Sequence, residues 1–247
     1  MKTLIFCNRR GGCGKTITAY NVAYDLATLH RQKVLLIDGD PQCTLTMCAG
    51  MDGKVRNLCT AIRGDNLPGN IQQSKAFDFV AGSGDLEAIT IHPTTIKDLI
   101  SQIRGRYDIV IIDSQPANNE ITAAIMYAAD LVFITSTAEK FSILGAVKAV
   151  SQMEALKKIG ATFKPGGIIL TCVEARGTLY KDMADQLYSI AKQLGTKVIT
   201  PPIHKAIAAA ESTNVGQPLE IYAPNSKPAM DYKELTENIY KIIQRSN

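Results

Sequence analysis

The most informative stretch of this 247-residue chain is Asn8-Arg9-Arg10-Gly11-Gly12-Cys13-Gly14-Lys15-Thr16. It follows an apolar run, Thr3–Cys7, that predicts a buried strand, and it leads into a helical stretch from about Lys15 to His30. Glycines let consecutive backbone N–H groups point toward one centre, and a helix N-terminus adds the positive end of its dipole. The stretch therefore predicts an anion-binding loop between a strand and a helix.

Two residues of this loop carry the chemistry that phosphate and metal binding require. Lys15 is placed to reach β- and γ-phosphates, and the Thr16 hydroxyl to reach Mg²⁺. The ordinary pattern G-x-x-x-x-G-K-[ST] fails because Arg9 stands where its first glycine belongs. A variant fits instead, with a cation at Arg10 followed by G-G-x-G-K-T. A plain glycine turn with a surface lysine is the alternative interpretation.

Two further apolar runs end in carboxylates. Lys33–Ile37 is followed by Asp38 and Asp40, and Tyr107–Ile112 is followed by Asp113. Carboxylates beside a phosphate loop suit Mg²⁺ handling and the positioning of water. Asp-Gly and Asp-Pro are also common turn dipeptides, so the first of these segments taken alone leaves both interpretations open.

Strand-length and helix-length segments alternate along the chain. Continuous Val/Ile/Leu strands separated by helices predict an α/β fold, a doubly wound and mostly parallel sheet with helices on both faces. No change in composition suggests a linker, so we expect a single domain over residues 1–247. The other predicted strands are Phe77–Val80, Leu131–Thr135, Gly167–Thr171 and Lys197–Ile199, and the other predicted helices are His92–Arg104, Ile121–Ala129, Ser142–Lys158 and Thr178–Gln193.

Composition excludes several classes of protein. With 46% hydrophobic and 20% charged residues, the chain is not a disordered tail, a collagen-like fibre or a disulfide scaffold. Its six cysteines show no C-x-x-C pair, which favours reduced thiols. The apolar run at the start is too short for a signal peptide, and we expect a cytoplasmic protein. A net charge of +4 permits a nucleic-acid partner without proving one.

The three motifs together resemble the ParA/MinD family of P-loop ATPases. Residues 10–16 resemble the family's deviant Walker A motif, K-G-G-x-G-K-[ST], with Arg10 in place of the signature lysine. Asp38-Gly-Asp-Pro-Gln42 resembles D-x-D-P-Q, and Asp113-Ser-Gln-Pro116 resembles D-x-P-P with Gln115 at its third position. The resemblance covers nearly the whole chain, including a C-terminal region at Thr200–Glu211. It is closest to the Soj-like ParA type and begins at residue 1, so we expect no N-terminal helix-turn-helix.

This resemblance implies a P-loop NTPase fold and a site that binds and hydrolyses Mg-ATP. The implied catalytic residues are Lys15, Asp40, which positions or activates the attacking water, and Arg10, which reaches the partner's phosphates across an ATP-bound dimer. The implied metal residues are Thr16, Asp38 and Asp113. The implied nucleotide contacts are Gly11, Gly12, Cys13, Gly14, Lys15, Thr16, Ile17 and Gln42, with Cys172 and Pro202 beside the adenine.

The function implied by the resemblance is that of a partition ATPase. Such a protein forms an ATP-dependent homodimer, associates with the nucleoid by binding DNA without sequence preference, and is stimulated to hydrolyse ATP by a centromere-binding, ParB-like adaptor. Lys205 and Lys227 match basic residues of relatives and are the expected DNA contacts. The further candidate DNA contacts, for which ordinary solvated side chains are the alternative interpretation, are Arg176, Lys181, Lys192, Lys233, Lys241 and Arg245. The alternatives are a MinD-like or other cargo-positioning ATPase, or a nucleotide-binding scaffold with little turnover.

The C-terminal segment bears on the MinD alternative. From Asp231 onward, Tyr232, Leu235, Ile239 and Ile242 recur at helical spacing and predict one apolar stripe. MinD-type proteins end in a basic amphipathic membrane helix, whereas here the helix stops without a basic, aromatic-rich tail. We therefore expect a helix packed on the core, and no membrane partner.

Overall fold

The structure is a computed structural model that describes residues 1–51, 53–174 and 178–246. Its strands form one seven-stranded sheet with the order β3-β2-β4-β1-β5-β6-β7, in which every strand pair is parallel. The predicted α/β fold class is therefore confirmed. The strands are β1 (Lys2–Cys7), β2 (Val34–Gly39), β3 (Asp78–Val80), β4 (Ile109–Ser114), β5 (Leu131–Ser136), β6 (Lys164–Leu170) and β7 (Val198–Ile199).

Helices cover both faces of this sheet because successive strand residues point to opposite sides. In β1, Ile5 and Cys7 pack among side chains of the third to seventh helices. Leu4 and Phe6 pack on the other face, among side chains of the first, second, ninth and tenth. The helices are α1 (Lys15–Thr28), α2 (Thr44–Cys48), α3 (Leu58–Arg63), α4 (Thr95–Ser101), α5 (Glu120–Ala128), α6 (Lys140–Lys158), α7 (Thr178–Gln193), α8 (Ile207–Val215), α9 (Leu219–Tyr222) and α10 (Lys227–Arg245).

Some element boundaries differ from those predicted. The predicted helix His92–Arg104 is reduced to α4, and the chain turns before β4 at Gly105, whose φ is +85°. β6 begins at Lys164 rather than Gly167, and Gly166 lets the strand pass against Phe133. A Cβ at Gly166 would lie 2.6 Å from that ring. Four short helices, α2, α3, α8 and α9, were not predicted.

The C-terminal helix packs on the core, as predicted. α10 begins at Lys227, four residues before the predicted start, where Ser226 caps it by accepting a hydrogen bond from the backbone N–H of Ala229. Leu235 and Ile239 are fully buried in the cluster formed with α1, whereas Ile242 is only half-buried. Among the described helices, none has the length and apolarity needed to cross a membrane.

The contact between α1 and α10 buries a carboxyl group. The Thr236 hydroxyl donates a 3.3 Å hydrogen bond to Asp25 Oδ2, and the Asp25 side chain is almost completely shielded from solvent. Burial raises the pKa of Asp25 to about 7, against the lowering effect of the Thr236 hydrogen bond. The folded chain therefore holds a proton at Asp25 at mildly acidic pH, at which the unfolded chain has released it.

We expect this carboxyl group to destabilise the fold increasingly as pH rises. The pKa of Asp25 in the folded chain lies above its pKa in the unfolded chain. The contribution of Asp25 to the free energy of unfolding is therefore most favourable below the unfolded-state pKa and is lost as pH rises through about 7. Replacing Asp25 with Asn removes the ionisable group. The free energy of unfolding of Asp25→Asn minus that of the wild type should therefore increase by about 2 kcal/mol between pH 5 and pH 8.

Urea unfolding of the nucleotide-free protein at the two pH values measures this difference. Asp185→Asn, at an exposed carboxylate on α7, is the matched control and should show no such change with pH. A difference for Asp25→Asn that stays constant with pH would contradict the assignment.

Candidate nucleotide-binding site

The predicted anion-binding loop lies between β1 and α1 and is anchored by Asn8. The buried Asn8 amide donates hydrogen bonds to the carbonyl oxygens of Thr135, at 2.7 Å, and Ser142, at 3.1 Å. Its Oδ1 accepts a hydrogen bond from the backbone N–H of Arg10 at 2.9 Å. One side chain therefore ties the loop to the end of β5 and to the start of α6.

Helix α6 approaches this loop very closely at Gly145. A Cβ at that position would lie 2.1 Å from Asn8 Oδ1 and 3.0 Å from the backbone nitrogen of Arg10. The Cys13 side chain also faces α6, where its Sγ lies 3.1 Å from Ser142 Oγ. Cys13 is almost fully buried, so it presents its backbone rather than its thiol to a ligand.

Two glycines give the loop its turn. Gly12 and Gly14 have φ values of +77° and +75°, which residues with side chains rarely adopt. Gly14 is the N-cap of α1 and lies against Thr171, where a Cβ would come within 3.3 Å of that side chain. The Thr171 hydroxyl donates a 3.0 Å hydrogen bond to the carbonyl oxygen of Cys13. The loop is therefore held from the β6 side as well.

Lys15 and Thr16 form the first turn of α1, as predicted. Lys15 is only 6% exposed, and its Nζ donates a 3.3 Å hydrogen bond across the loop to the carbonyl oxygen of Arg10. It forms no ion pair with any residue in the described part of the chain. A buried ammonium group without a counter-ion, next to the N-terminus of a helix, favours the binding of an anion.

Asp113 ends β4 directly beside the loop. It is fully buried, its Oδ1 accepts a hydrogen bond from the Ser114 N–H at 3.0 Å, and its Oδ2 has no hydrogen-bond partner among the described residues. Burial, and after it the charge of Asp38, raise the pKa of Asp113 to about 7, against the lowering effects of Thr16 and Lys15. Asp38 lies opposite Asp113 in the pairing of β2 with β4.

The environment of Asp113 fits a hydrated Mg²⁺ ion. Mg²⁺ usually keeps several waters and takes one or two protein oxygens together with substrate phosphates, rather than a cage of protein ligands. The unpartnered Asp113 oxygen and the nearby Thr16 hydroxyl are such oxygens. In agreement, no group of three or more His, Cys, Asp or Glu side chains forms a cage among the described residues.

Asp38 has a structural role that the sequence does not reveal. Its Oδ2 accepts hydrogen bonds from the Thr46 N–H at 2.8 Å and the Thr46 hydroxyl at 2.7 Å, and its Oδ1 accepts one from the Asp40 N–H at 3.1 Å. These bonds join the end of β2 to α2. Both oxygens of Asp38 are therefore engaged in hydrogen bonds, two at Oδ2 and one at Oδ1.

Asp40 and Gln42 lie closer to solvent. Asp40 is half-buried, and its Oδ1 accepts a 2.9 Å hydrogen bond from the Gln42 N–H, while the Gln42 side chain is exposed. The turn fixes the direction of the Asp40 carboxylate. Gln115, after β4, is buried, and its Nε2 has no hydrogen-bond partner in the described ranges.

A cavity extends from this loop. Its volume is about 860 Å³, within the usual range for small-molecule sites. The loop and the start of α1 form one end, and the segment after β7 together with α8 forms the other. The lining residues are Gly12, Gly14, Lys15, Thr16, Ile17, Thr44, Thr171, Cys172, Glu174, Ile203, His204, Lys205, Ala206, Ile207, Ala209, Ala210, Thr213, Asn214 and Tyr232.

The two residues predicted beside the adenine are placed differently. Cys172 is exposed and lines the cavity, whereas Pro202 does not and instead lines a separate cavity of about 330 Å³ with Leu170 and Tyr188. Pro202 as an adenine contact stays a prediction. The wall of the larger cavity is formed by Ile203–Ile207 and by α8, a helix that was not predicted.

The predicted DNA contacts both lie in ion pairs. Lys205 is exposed at the edge of the cavity and pairs with the exposed Glu174. Lys227 Nζ lies 3.0 Å from Oδ1 of Asp231, whose side chain is buried. Arg10 is exposed and forms no ion pair among the described residues. Arg176, and the side chain of Lys181, lie outside the described residues.

Comparisons with known proteins match this arrangement. A family model described as an AAA domain matches residues 1–164. The chromosome-partitioning ATPase Soj of Thermus thermophilus is 27% identical over 251 residues, which cover 100% of this chain and 98% of Soj. A Cyanothece McdA–ATP complex has a TM-score of 0.87 at 22% identity and covers 99% of this chain and 96% of that one. The septum site-determining protein MinD of Pyrococcus horikoshii, with Mg-ADP, has a TM-score of 0.82 at 22% identity and covers 100% and 98%.

The fold, the glycine-rich loop and the match to a family model together define the class of protein. A parallel sheet whose first strand runs into a glycine-rich loop, with Gly-Lys-Thr at the start of the next helix, is a P-loop fold. The chain belongs to the AAA-domain family that its first 164 residues match and, within it, to the ParA/MinD family of deviant Walker A ATPases.

We expect Gly145→Ala to impair nucleotide binding. The added methyl group would clash with Asn8 and with the backbone at Arg10, so the loop must shift, although alanine itself favours a helix by up to about 1 kcal/mol. The dissociation constant for Mg-ATP, measured by calorimetry, should rise by about 10-fold or more, since a displacement of this size typically costs about 1–3 kcal/mol. Gly84→Ala, where a Cβ meets nothing within 4 Å, is the control. Equal affinity of both variants for Mg-ATP would show that the contact with α6 does not determine the conformation of the loop.

Proposed function

We propose that this protein is a ParA-type partition ATPase. It binds and hydrolyses Mg-ATP, dimerises when ATP is bound, binds DNA without sequence preference and is stimulated by a ParB-like adaptor bound at a centromere. One observation carries the nucleotide chemistry. The ammonium of Lys15, which forms no ion pair among the described residues, lies at one end of a cavity of about 860 Å³. The buried Asp113, whose Oδ2 has no hydrogen-bond partner among those residues, ends β4 beside the same loop. The positive group, Lys15, suits the binding of phosphate, and the negative group, Asp113, suits the binding of a divalent cation.

Each residue has a distinct role in this proposal. The backbone N–H groups of the loop and Lys15 bind the β- and γ-phosphates, which replace the carbonyl oxygen that Lys15 now contacts. Thr16 and Asp113 hold the hydrated Mg²⁺, which when bound neutralises phosphate charge. Asp40 orients the attacking water. Its Oδ1 is fixed by the Gln42 N–H, and its other oxygen has no protein partner in the described ranges.

Arg10 is proposed to act on a second protomer. Its backbone is fixed by Asn8, while its guanidinium group is exposed and unpaired in the described structure. A rigid backbone with a free cationic side chain suits a residue that reaches phosphates bound to another subunit. A guanidinium group forms forked contacts with phosphate oxygens, so the charge of the signature lysine is preserved with a different geometry.

The position of α10 favours a partition protein over a MinD-like one. Its apolar stripe is buried against α1, so it offers no free apolar face to a lipid surface. The similarity to Soj, a chromosome-partitioning ATPase, supports the same assignment. Of the two proposed DNA contacts, Lys205 is the more available, since its partner Glu174 is exposed and ion pairs between exposed groups contribute little to stability.

A second candidate function is a nucleotide-binding scaffold with little turnover. The buried and unpartnered Gln115 amide, in a loop where relatives carry a second proline, favours this candidate. Steady-state release of phosphate from Mg-ATP in the presence of DNA distinguishes the two.

Substitution of Arg10 by Ala tests the proposed action across a dimer. We expect single-turnover ATP hydrolysis to fall by about 10³-fold, because arginine fingers contribute about 10³–10⁵ in rate. ATP-dependent dimerisation, measured by light scattering, should weaken, while the affinity of the monomer for ATP stays within about twofold. Arg63→Ala, at an exposed arginine on α3, is the control. Unchanged dimerisation and hydrolysis in Arg10→Ala would refute the role.

DNA binding is tested by ATP-dependent retention on DNA fragments of random sequence. Retention should fall steeply between about 50 and 200 mM salt, since phosphate contacts release counter-ions. Lys205→Ala should weaken binding at fixed salt by about 3- to 10-fold, whereas Lys158→Ala, at an exposed lysine on α6, should not. ATP affinity is measured in both variants because Lys205 also lines the cavity. Binding to anionic liposomes without retention on DNA would support the MinD-like alternative instead.

A further inference from the structure

A group of exposed cations lies at the edge of the sheet opposite the glycine-rich loop. The adjacent strands β3, β2 and β4 are entered from three segments, 74–78, 31–33 and 104–108. Because parallel strands begin at the same edge of a sheet, these segments are neighbours in space. We call the surface that they form the basic edge. Its cations are Arg31, Lys33, Lys75, Arg104 and Arg106, and all five are exposed.

The backbone of Lys33 joins two of these segments. Its N–H donates a 2.8 Å hydrogen bond to Asp108 Oδ2. Its carbonyl oxygen accepts hydrogen bonds from the N–H groups of Asp108, at 2.9 Å, and Ile109, at 3.2 Å. The position from which the Lys33 side chain leaves the backbone is therefore fixed relative to β4.

A cavity of about 310 Å³ joins all three segments. Lys33 and Arg106 line this cavity together with Ser74 and Ala76, the two residues that flank Lys75. Cations from three separate parts of the chain are therefore gathered around one depression at the edge of the sheet.

The cations of the basic edge outnumber its carboxylates. Asp78 and Asp108 are the acidic residues of the three segments, which leaves an excess of three positive charges where the whole chain has a net charge of +4. Asp78 Oδ2 accepts a 2.7 Å hydrogen bond from the Tyr107 hydroxyl. In the part of the chain that the structure describes, none of the five cations forms an ion pair. Such a concentration of unpaired positive charge attracts a polyanion.

Among polyanions, the basic edge best fits the phosphates of duplex DNA. Its aromatic side chains, Phe77 and Tyr107, are each only 7% exposed, so they offer no face on which unpaired bases could stack. The three segments expose no large apolar side chain that could enter a lipid surface or anchor a protein partner. The starts of three adjacent strands span about 10 Å, and duplex DNA carries one charge per about 1.7 Å of its axis. Several phosphates therefore come within reach of the edge at once.

We propose that the basic edge is a second DNA-binding surface, which holds the DNA backbone without sequence preference and without a requirement for ATP. β2 has six residues, so this edge lies about 20 Å from the glycine-rich loop at the other end of the strands. Its cations therefore remain accessible when the nucleotide cavity is filled and when Arg10 contacts a second protomer. The inference extends the DNA binding of the proposed function to another surface, and it rests on that function for the choice of polyanion.

The test measures binding of the nucleotide-free protein to a fluorescent DNA duplex of random sequence, by anisotropy at several salt concentrations. We expect the logarithm of the association constant to fall with the logarithm of salt concentration with a slope of about −4 to −5, since each phosphate contact contributes about −0.9. Lys33→Ala combined with Arg106→Ala should weaken binding at about 50 mM salt by about 10-fold or more. The same double variant should make the slope shallower by about 2.

Two further double variants separate a local contact from a general loss of charge. Lys140→Ala combined with Lys148→Ala removes the same charge from exposed positions on α6 and should change the affinity by no more than about twofold. Lys33→Arg combined with Arg106→Lys keeps both charges and should retain the wild-type affinity within about twofold, because the backbone of DNA is read through its charge. Lys205→Ala should have no larger effect on the nucleotide-free protein than the α6 control.

The outcomes distinguish this inference from the proposed function. If the Lys33 and Arg106 double variant binds DNA as tightly as the α6 control, or if the wild type binds DNA only with ATP, the basic edge is not a DNA-binding surface, although the proposed function stands. Binding to phosphatidylglycerol vesicles without binding to the duplex, or tighter binding to single-stranded DNA, would overturn the choice of partner. If DNA is bound neither with nor without ATP, the DNA binding of the proposed function fails together with this inference.

Discussion

The buried amide of Asn8 is the contact on which the site depends. A loop that binds phosphate must keep its N–H groups free for the ligand, so its shape has to be fixed by other contacts. Asn8 provides them with three hydrogen bonds, two to carbonyl groups near α6 and one from within the loop. Gly145 makes the close approach possible, and Thr171 holds the other side through the Cys13 carbonyl group. The loop is rigid because its neighbours hold it, and its own donors remain available.

The electrostatics of the site follow from the order of the strands. β1 lies next to β4, and β4 next to β2, so Lys15, Asp113 and Asp38 come together although they are far apart in sequence. Burial raises the pKa of both Asp113 and Asp38, and a neighbouring carboxylate adds to each shift, Asp38 for Asp113 and Asp40 for Asp38, whereas Lys15 lowers the pKa of Asp113. Thr46 stabilises one carboxylate with two hydrogen bonds. The other has an oxygen without a partner, and a divalent cation would restore the balance of charge there.

The sequence alone was sufficient to predict those parts of the protein that are defined by contiguous residues. Apolar runs ending in Asp38 and Asp113, and the loop ending in Lys15 and Thr16, are contiguous patterns, and the sheet places them where the carboxyl ends of parallel strands meet. The far end of the cavity was not predictable in this way. His204 is held by Asp231, 27 positions later, and α8 shows almost no amphipathic pattern. Pro202 and Ile203 are neighbours in sequence but line two different cavities.

The anchoring of the loop by Asn8 also has a consequence for the order of folding. Its two carbonyl acceptors lie 127 and 134 positions along the chain, beyond four of the seven strands. Closing so long a stretch of chain is a slow, entropically costly event compared with forming a local turn. A nascent chain that ends before Thr135 contains every residue of the loop and neither of these acceptors. Competence to hold a triphosphate is therefore acquired only after the central half of the sheet has assembled.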